Sequence, residues 1–143
     1  MVMEYAQQFE RDFMRRTLEL VRTYHGPYDA TNLLNCLLGL LIVPKETSID
    51  KVPDEPIADL GRWGISPQSI ESFGRNHQKT LRQVVWSLRN AVAHFQFEPV
   101  HEKHKCIGFR FHDQSGFKAT IKNEEMRIFV EKLAKRLERE ASA

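Results

Sequence analysis

Residues 77–95 read HQKTLRQVVWSLRNAVAHF, and the fold is decided by how this stretch is read. Projected at about 100° per residue, it separates into three stripes. Leu81, Val84, Val85, Leu88, Val92 and Phe95 make an apolar face for a core. Gln83, Ser87, Asn90 and His94 fall within about 60° of one another and form an unbroken polar seam. Arg82, Trp86, Arg89 and Ala93 run along the other flank of that seam. The pattern predicts a helix from about His77 to Phe95 with a core on one side and chemistry on another.

Working towards the N-terminus, Pro53, Pro56 and Pro67 with Gly61 and Gly64 interrupt residues 45–67, which follow Pro44. They predict a long excursion with one short turn near Ile57–Trp63. Ser66-Pro67 is a capping pair that predicts a short helix through Phe73. Before the excursion, Asp29 can cap a helix from Ala30 to about Val43 that is apolar almost all round. Tyr5, Phe9, Phe13, Leu20 and Tyr24 give an amphipathic helix from Val2 to about His25, ended by Gly26-Pro27. Towards the C-terminus the period changes to two. Ile107, Phe109 and Phe111 oppose Cys106, Arg110 and His112, and Phe117, Ala119 and Ile121 alternate with Lys118, Thr120 and Lys122. With Asp113-Gln-Ser-Gly116 between them, these are two strands of one hairpin. Asn123 then opens a last helix to about Glu140. The expectation is a mainly all-α single domain over 1–143, an antiparallel helical bundle with a small β-hairpin before the last helix.

Composition narrows the function classes. With 41% hydrophobic and 28% charged residues, the chain can bury a core and is not disordered. Its longest apolar run, Leu37 to Val43, is too short for the roughly twenty residues a bilayer needs. No basic-then-apolar leader opens the chain, and Cys36 and Cys106 form no paired motif, so a reducing cytoplasmic setting without a membrane is expected. Charge is uneven. Residues 73–122 hold 9 Lys/Arg against 3 Asp/Glu, together with five of the six histidines. That balance suits a phosphate-bearing partner, with a solvated basic face as the plainer reading.

Arg89-Asn90-Ala91-Val92-Ala93-His94 carries the chemistry. An imidazole exchanges a proton near neutral pH, and a guanidinium grips a phosphate with two hydrogen bonds. Those are the parts needed to cut RNA without a metal. Positions five apart on a helix point about 140° apart, so Arg89 and His94 of one helix do not converge, whereas two copies across a twofold axis could bring both into one cleft. Asn90 shares a face with His94 and could orient the ring or hold a phosphate oxygen. Arg75, His77, Lys79 and Arg82 lie at or before the helix start and could grip an RNA backbone. The plainer readings are a histidine at a helix C-terminus beside a surface ion pair, and a solvated helix start.

The sequence resembles a HEPN domain, the small helical family whose catalytic members carry R-x(4–6)-H, often with a polar residue after the arginine. Here that motif is Arg89-Asn90-x3-His94 within L-R-N-A-V-A-H, in a chain of suitable length. The resemblance implies a homodimer through the motif helix with a composite cleft and endoribonuclease activity that uses no cofactor. It also implies a toxin or antiviral role with an antitoxin or activator as partner. Gln96 stands where a modification-regulated branch has tyrosine, so that control is not implied. The alternative is a non-catalytic RNA-binding or protein-interaction module of a two-component system. A zinc reading of His101, His104, Cys106 and His112 fits no known ligand spacing, since Cys106 and His112 lie about 20 Å apart on an extended strand. Trp63 and Trp86 are the candidate stacking platforms for bases, each with a core or dimer-contact role as the plainer reading.

Overall fold

The computed structural model describes residues 8–44 and 46–142. Its elements run α1 (Phe9–Thr23), α2 (Asp29–Ile42), α3 (Glu46–Asp50), two 3-10 turns (Ile57–Trp63 and Pro67–Ser69), β1 (Ile70–Phe73), α4 (Leu81–Ala93), β2 (Phe97–Glu102), β3 (Lys105–His112), β4 (Phe117–Lys122) and α5 (Asn123–Ser142). No helix among them is long and apolar enough to cross a membrane.

The expected all-α bundle with a small hairpin is corrected here. The strands form one four-stranded antiparallel sheet in the order β1-β4-β3-β2, so the fold is mixed α and β. The β3–β4 hairpin stands as its alternation dictates, with Phe109, Phe111, Phe117, Ala119 and Ile121 buried on one face and Arg110, His112, Lys118 and Lys122 exposed on the other. Each outer strand was hidden for its own reason. Ser66-Pro67 does start a turn, but the turn lasts only through Ser69, and residues 70–73 extend to pair with β4 in place of the expected short helix. β2 carries Pro99, which an edge strand tolerates because its missing N–H belongs to the open side.

α5 is the hub. Met126, Phe129, Val130, Leu133, Ala134 and Leu137 are buried along it, where it packs on α1, α2 and α3 and also on β3 and β4. α4 covers β3 and packs on α2. Arg127 of α5 forks onto both carboxylate oxygens of Asp29 at 2.6 and 2.7 Å, and Arg22 reaches Glu131 at 2.6 Å. Both pairs are more than a third exposed on at least one side, so each contributes at most about 1 kcal/mol. The stripe expected on α1 is displaced. Met14, Leu18 and Val21 face the core, while Phe9 and Leu20 stand out, because the spacing of those three, not of the aromatics, matches the direction of α5. Tyr5 and the expected helix start at Val2 lie outside the described residues.

Two outcomes follow from this packing. A Cβ added at Gly108 would clash with the carbonyl oxygen of Ile121 and lie 2.8 Å from Lys122 Cα. Both are backbone atoms of the neighbouring strand and cannot swing aside. Gly108→Ala should therefore destabilise the chain by roughly 1–3 kcal/mol, read as a lower denaturant midpoint with unchanged slope. Burial pushes the Cys36 thiol up from 9.0 to about 11. The folded thiol is thus still protonated where the unfolded one ionises, so its contribution to stability is intact below pH 9 and is lost as pH rises towards 11. Iodoacetamide at mildly alkaline pH should label half-buried Cys106 first and reach Cys36 only on unfolding.

Candidate functional site

The motif helix is shorter at both ends than its periodicity predicts. The Thr80 hydroxyl caps it by accepting from Gln83 N–H at 3.3 Å, so His77 and Lys79 fall in the approach segment. Leu81, Val84, Val85, Leu88 and Ala91 are buried, and of the expected core face Val92 is only partly covered. The polar seam begins inside the molecule and opens outwards. Ser87 is fully buried and accepts from Gln83 Nε2 at 3.1 Å, whereas Asn90 and His94 are exposed.

The helix ends in a Schellman turn. Phe95 N–H donates to Val92 O at 3.2 Å and Gln96 N–H to Ala91 O at 2.7 Å. The residue that must be left-handed for this is Phe95, at φ 54, where a side chain costs about 1–2 kcal/mol relative to glycine. Phe95 is also 80% exposed, and its ring lies 4.9 Å from that of Phe97, which leads inwards to Phe111. It was expected in the core face; the reversal of the chain turns it out beside His94. Gln96 O then accepts from His112 N–H at 3.1 Å and ties the helix end to β3.

Two further segments meet that end. The turn after β3 is built on Asp113, whose Oδ1 accepts from Ser115 N–H at 2.9 Å, Phe117 N–H at 3.1 Å and the Ser115 hydroxyl. Its Oδ2 is buried and has no hydrogen-bond partner among the described residues. The segment after β1 is fastened to this turn by Arg75 N–H donating to Ser115 O at 2.9 Å. It passes through Gly74 and Asn76, both at positive φ, and delivers His77 with Nδ1 2.8 Å from Phe73 O. A carbonyl only accepts, so Nδ1 carries the proton and Nε2 is the nitrogen left for other work.

His77, Asn90, His94, Asp113, Gln114 and Ser115 line one open cleft of about 210 Å³. Asn90 and His94 share it, as their spacing requires. Arg89 does not line it; its guanidinium lies 5.1 Å from the ring centre of Trp86, whose Nε1 donates to Asp50 at 3.0 Å. Arg89 and His94 of one chain therefore remain on different flanks. Of the residues expected to hold a backbone, Arg75 and Lys79 are exposed, His77 lies in the cleft, and Arg82 donates through Nε to Val52 O at 2.9 Å. Trp63 donates to Glu55, so neither tryptophan indole is a bare edge. His101 sits opposite Cys106 across the β2–β3 ladder, His104 is in the turn, and His112 is at the far end of β3. Among the described residues no three His, Cys, Asp or Glu side chains gather as a metal site requires.

A larger groove of about 560 Å³ runs past Val21, Tyr24, His25 and Asp29, but its charges are already matched by the Arg22–Glu131 and Arg127–Asp29 pairs. The smaller cleft is the one with chemistry to offer. Sequence reasoning missed Asp113 and Ser115 there, since D-Q-S-G reads only as a turn, and it missed the exposed Phe95.

A family model described as HEPN pEK499 p136 matches residues 1–142. No curated protein and no solved structure matches the chain.

Proposed function

Because the chain belongs to the HEPN pEK499 p136 family, we propose that it is an endoribonuclease that cuts RNA with Arg89 and His94 and needs no metal. The observation that carries this reading is the pairing of Asn90 and His94 in an open cleft at the end of α4. His94 exchanges a proton at the reacting linkage, and Asn90 holds the imidazole or a phosphate oxygen. The RNA's own 2′-oxygen attacks phosphorus, the bond to the 5′-oxygen breaks, and a 2′,3′-cyclic phosphate remains. Arg89 offsets the charge that gathers on the phosphoryl oxygens.

Since Arg89 lies over Trp86 on the other flank, its contribution comes across a twofold axis from a second copy. The homodimer formed through α4 is thus part of the proposal. Arg75 and Lys79 extend the basic approach to the cleft and grip the strand by its phosphates. Phe95, exposed beside His94, offers a ring face to a base. The proposed setting is the cytoplasm, where an uncontrolled ribonuclease is toxic to its own cell. That suits a toxin or phage-defence protein held by an antitoxin or released by an activator.

Incubating single-stranded RNA and matching DNA with the protein in excess EDTA tests the reading. RNA should be cut to cyclic-phosphate ends and DNA left whole; chelator-sensitive cutting, or DNA cut equally, refutes the mechanism. His94→Ala should lose about 10²–10⁴-fold in rate and Arg89→Ala about 10²–10³-fold. Both sit at the surface of α4, so stability should change by about 1 kcal/mol or less. Phe95→Ala should weaken RNA binding by about 1–3 kcal/mol, seen as a raised KM with kcat little altered.

A further inference from the structure

The ribonuclease reading leaves one role unfilled. Cleavage by the 2′-oxygen takes a proton from the 2′-hydroxyl and must return one to the departing 5′-oxygen, and His94 can serve only one of these at a time. We infer that His77 is the second proton-transfer group, working opposite His94 in the same cleft of the same protomer. The inference rests on the ribonuclease reading.

Three observations support it. First, His77 and His94 come from different elements, the segment before α4 and the end of α4, yet both line the one cleft of about 210 Å³. Groups that approach from separate walls can flank a phosphate, as an in-line displacement demands of its acid and base. Second, the ring of His77 is positioned by structure and not left to solvent. Phe73 O accepts a hydrogen bond from Nδ1–H at 2.8 Å, which fixes the tautomer and gives Nε2 the exchange role. A residue that only attracts phosphate through charge needs no such bond. Third, the segment that carries His77 is stitched to the opposite wall. Arg75 N–H is bonded to Ser115 O, and any side chain at Gly74 would collide with the Ser115 hydroxyl and press on His77 Nδ1. The imidazole is therefore held at a set distance from the Asp113 turn.

In the proposed step, one imidazole removes the 2′-hydroxyl proton as the O2′–P bond forms. The other, protonated, donates to O5′ as the P–O5′ bond breaks. Each histidine ends in the form its partner began in, and the balance closes without a co-reactant. Asp113 belongs to the wall of the cleft, but its Oδ2 is buried and takes no part in the scheme.

The test uses the full chain and a single-stranded RNA, together with the same RNA carrying sulfur in place of the 5′-oxygen at the linkage the wild type cuts. Sulfur leaves without being protonated. His77→Asn keeps a donor for Phe73 O but cannot exchange a proton, and an unchanged circular dichroism spectrum verifies its fold. On ordinary RNA, His77→Asn should lose roughly a hundredfold or more in kcat, with RNA affinity held within a small factor. One of His77→Asn and His94→Ala, and not both, should regain most of its rate on the sulfur substrate, and the one rescued is the acid. Wild-type kcat in His77→Asn, a loss that lies wholly in affinity, or equal response of the two variants to sulfur overturns the inference. If His94→Ala and Arg89→Ala are inactive while His77→Asn is not, only this inference fails. If those two variants cut as the wild type does, or the wild type cuts no RNA, the ribonuclease reading fails with it.

Discussion

The sheet has one face of Phe109, Phe111, Phe117, Ala119 and Ile121, and that face has to be kept from water. Burying each large side chain contributes about 1.5–3 kcal/mol, so the helices that cover it are not free to lie elsewhere. α5 supplies one part of the cover and α4 another, and both also pack against α2. Once α4 lies along β3, its C-terminus falls beside the end of that strand, where Gln96 O meets His112 N–H. The turn that follows β3 is then the nearest neighbour of the helix end. The cleft is a by-product of covering a sheet: its walls are what remain where a helix, a hairpin turn and the segment after β1 finish together.

Two of the four non-glycine residues at positive φ among the described residues stand at the same place. Asn76 and Phe95 adopt positive φ on the two chains that enter and leave α4, conformations that persist only where surrounding contacts over-determine them. Those contacts are present: the Schellman bonds hold Phe95, and the tie from Arg75 to Ser115 holds the segment containing Asn76. Glycine at either position would be cheaper in conformational energy. Keeping side chains there sets an aromatic ring next to His94 and a defined path up to His77.

Much of this was legible from local pattern, and the rest failed for identifiable reasons. α2, α4, α5 and the β3–β4 hairpin declare themselves by period, because each buries one regular face. β2 does not, since Pro99 interrupts it and its turn to β3 is Lys103-His104, two residues at φ 52 and 68 where Asn-Gly would have signalled a hairpin. β1 is four residues long behind a helix-like capping pair, and its pairing to β4 is set by contact, not by composition. With two strands invisible, the sheet looked like an ornament on a helical bundle. At the site, Asn90 and His94 were readable from their four-residue spacing. His77 could be seen only as one basic residue among neighbours, and Asp113 only as a turn former, because their meeting joins residues 36 positions apart through tertiary structure.

Pro99 has a consequence for how copies of this chain can meet. An antiparallel sheet with open borders invites a neighbour to add strands and grow into a ribbon. Here one border lacks an N–H at Pro99 and is kinked between Val100 and His101, while the other is the four-residue β1, irregular between Ile70 and Ser72. Neither border offers a ladder long enough to template another chain. Strand-by-strand polymerisation is thereby closed off at both borders of the sheet.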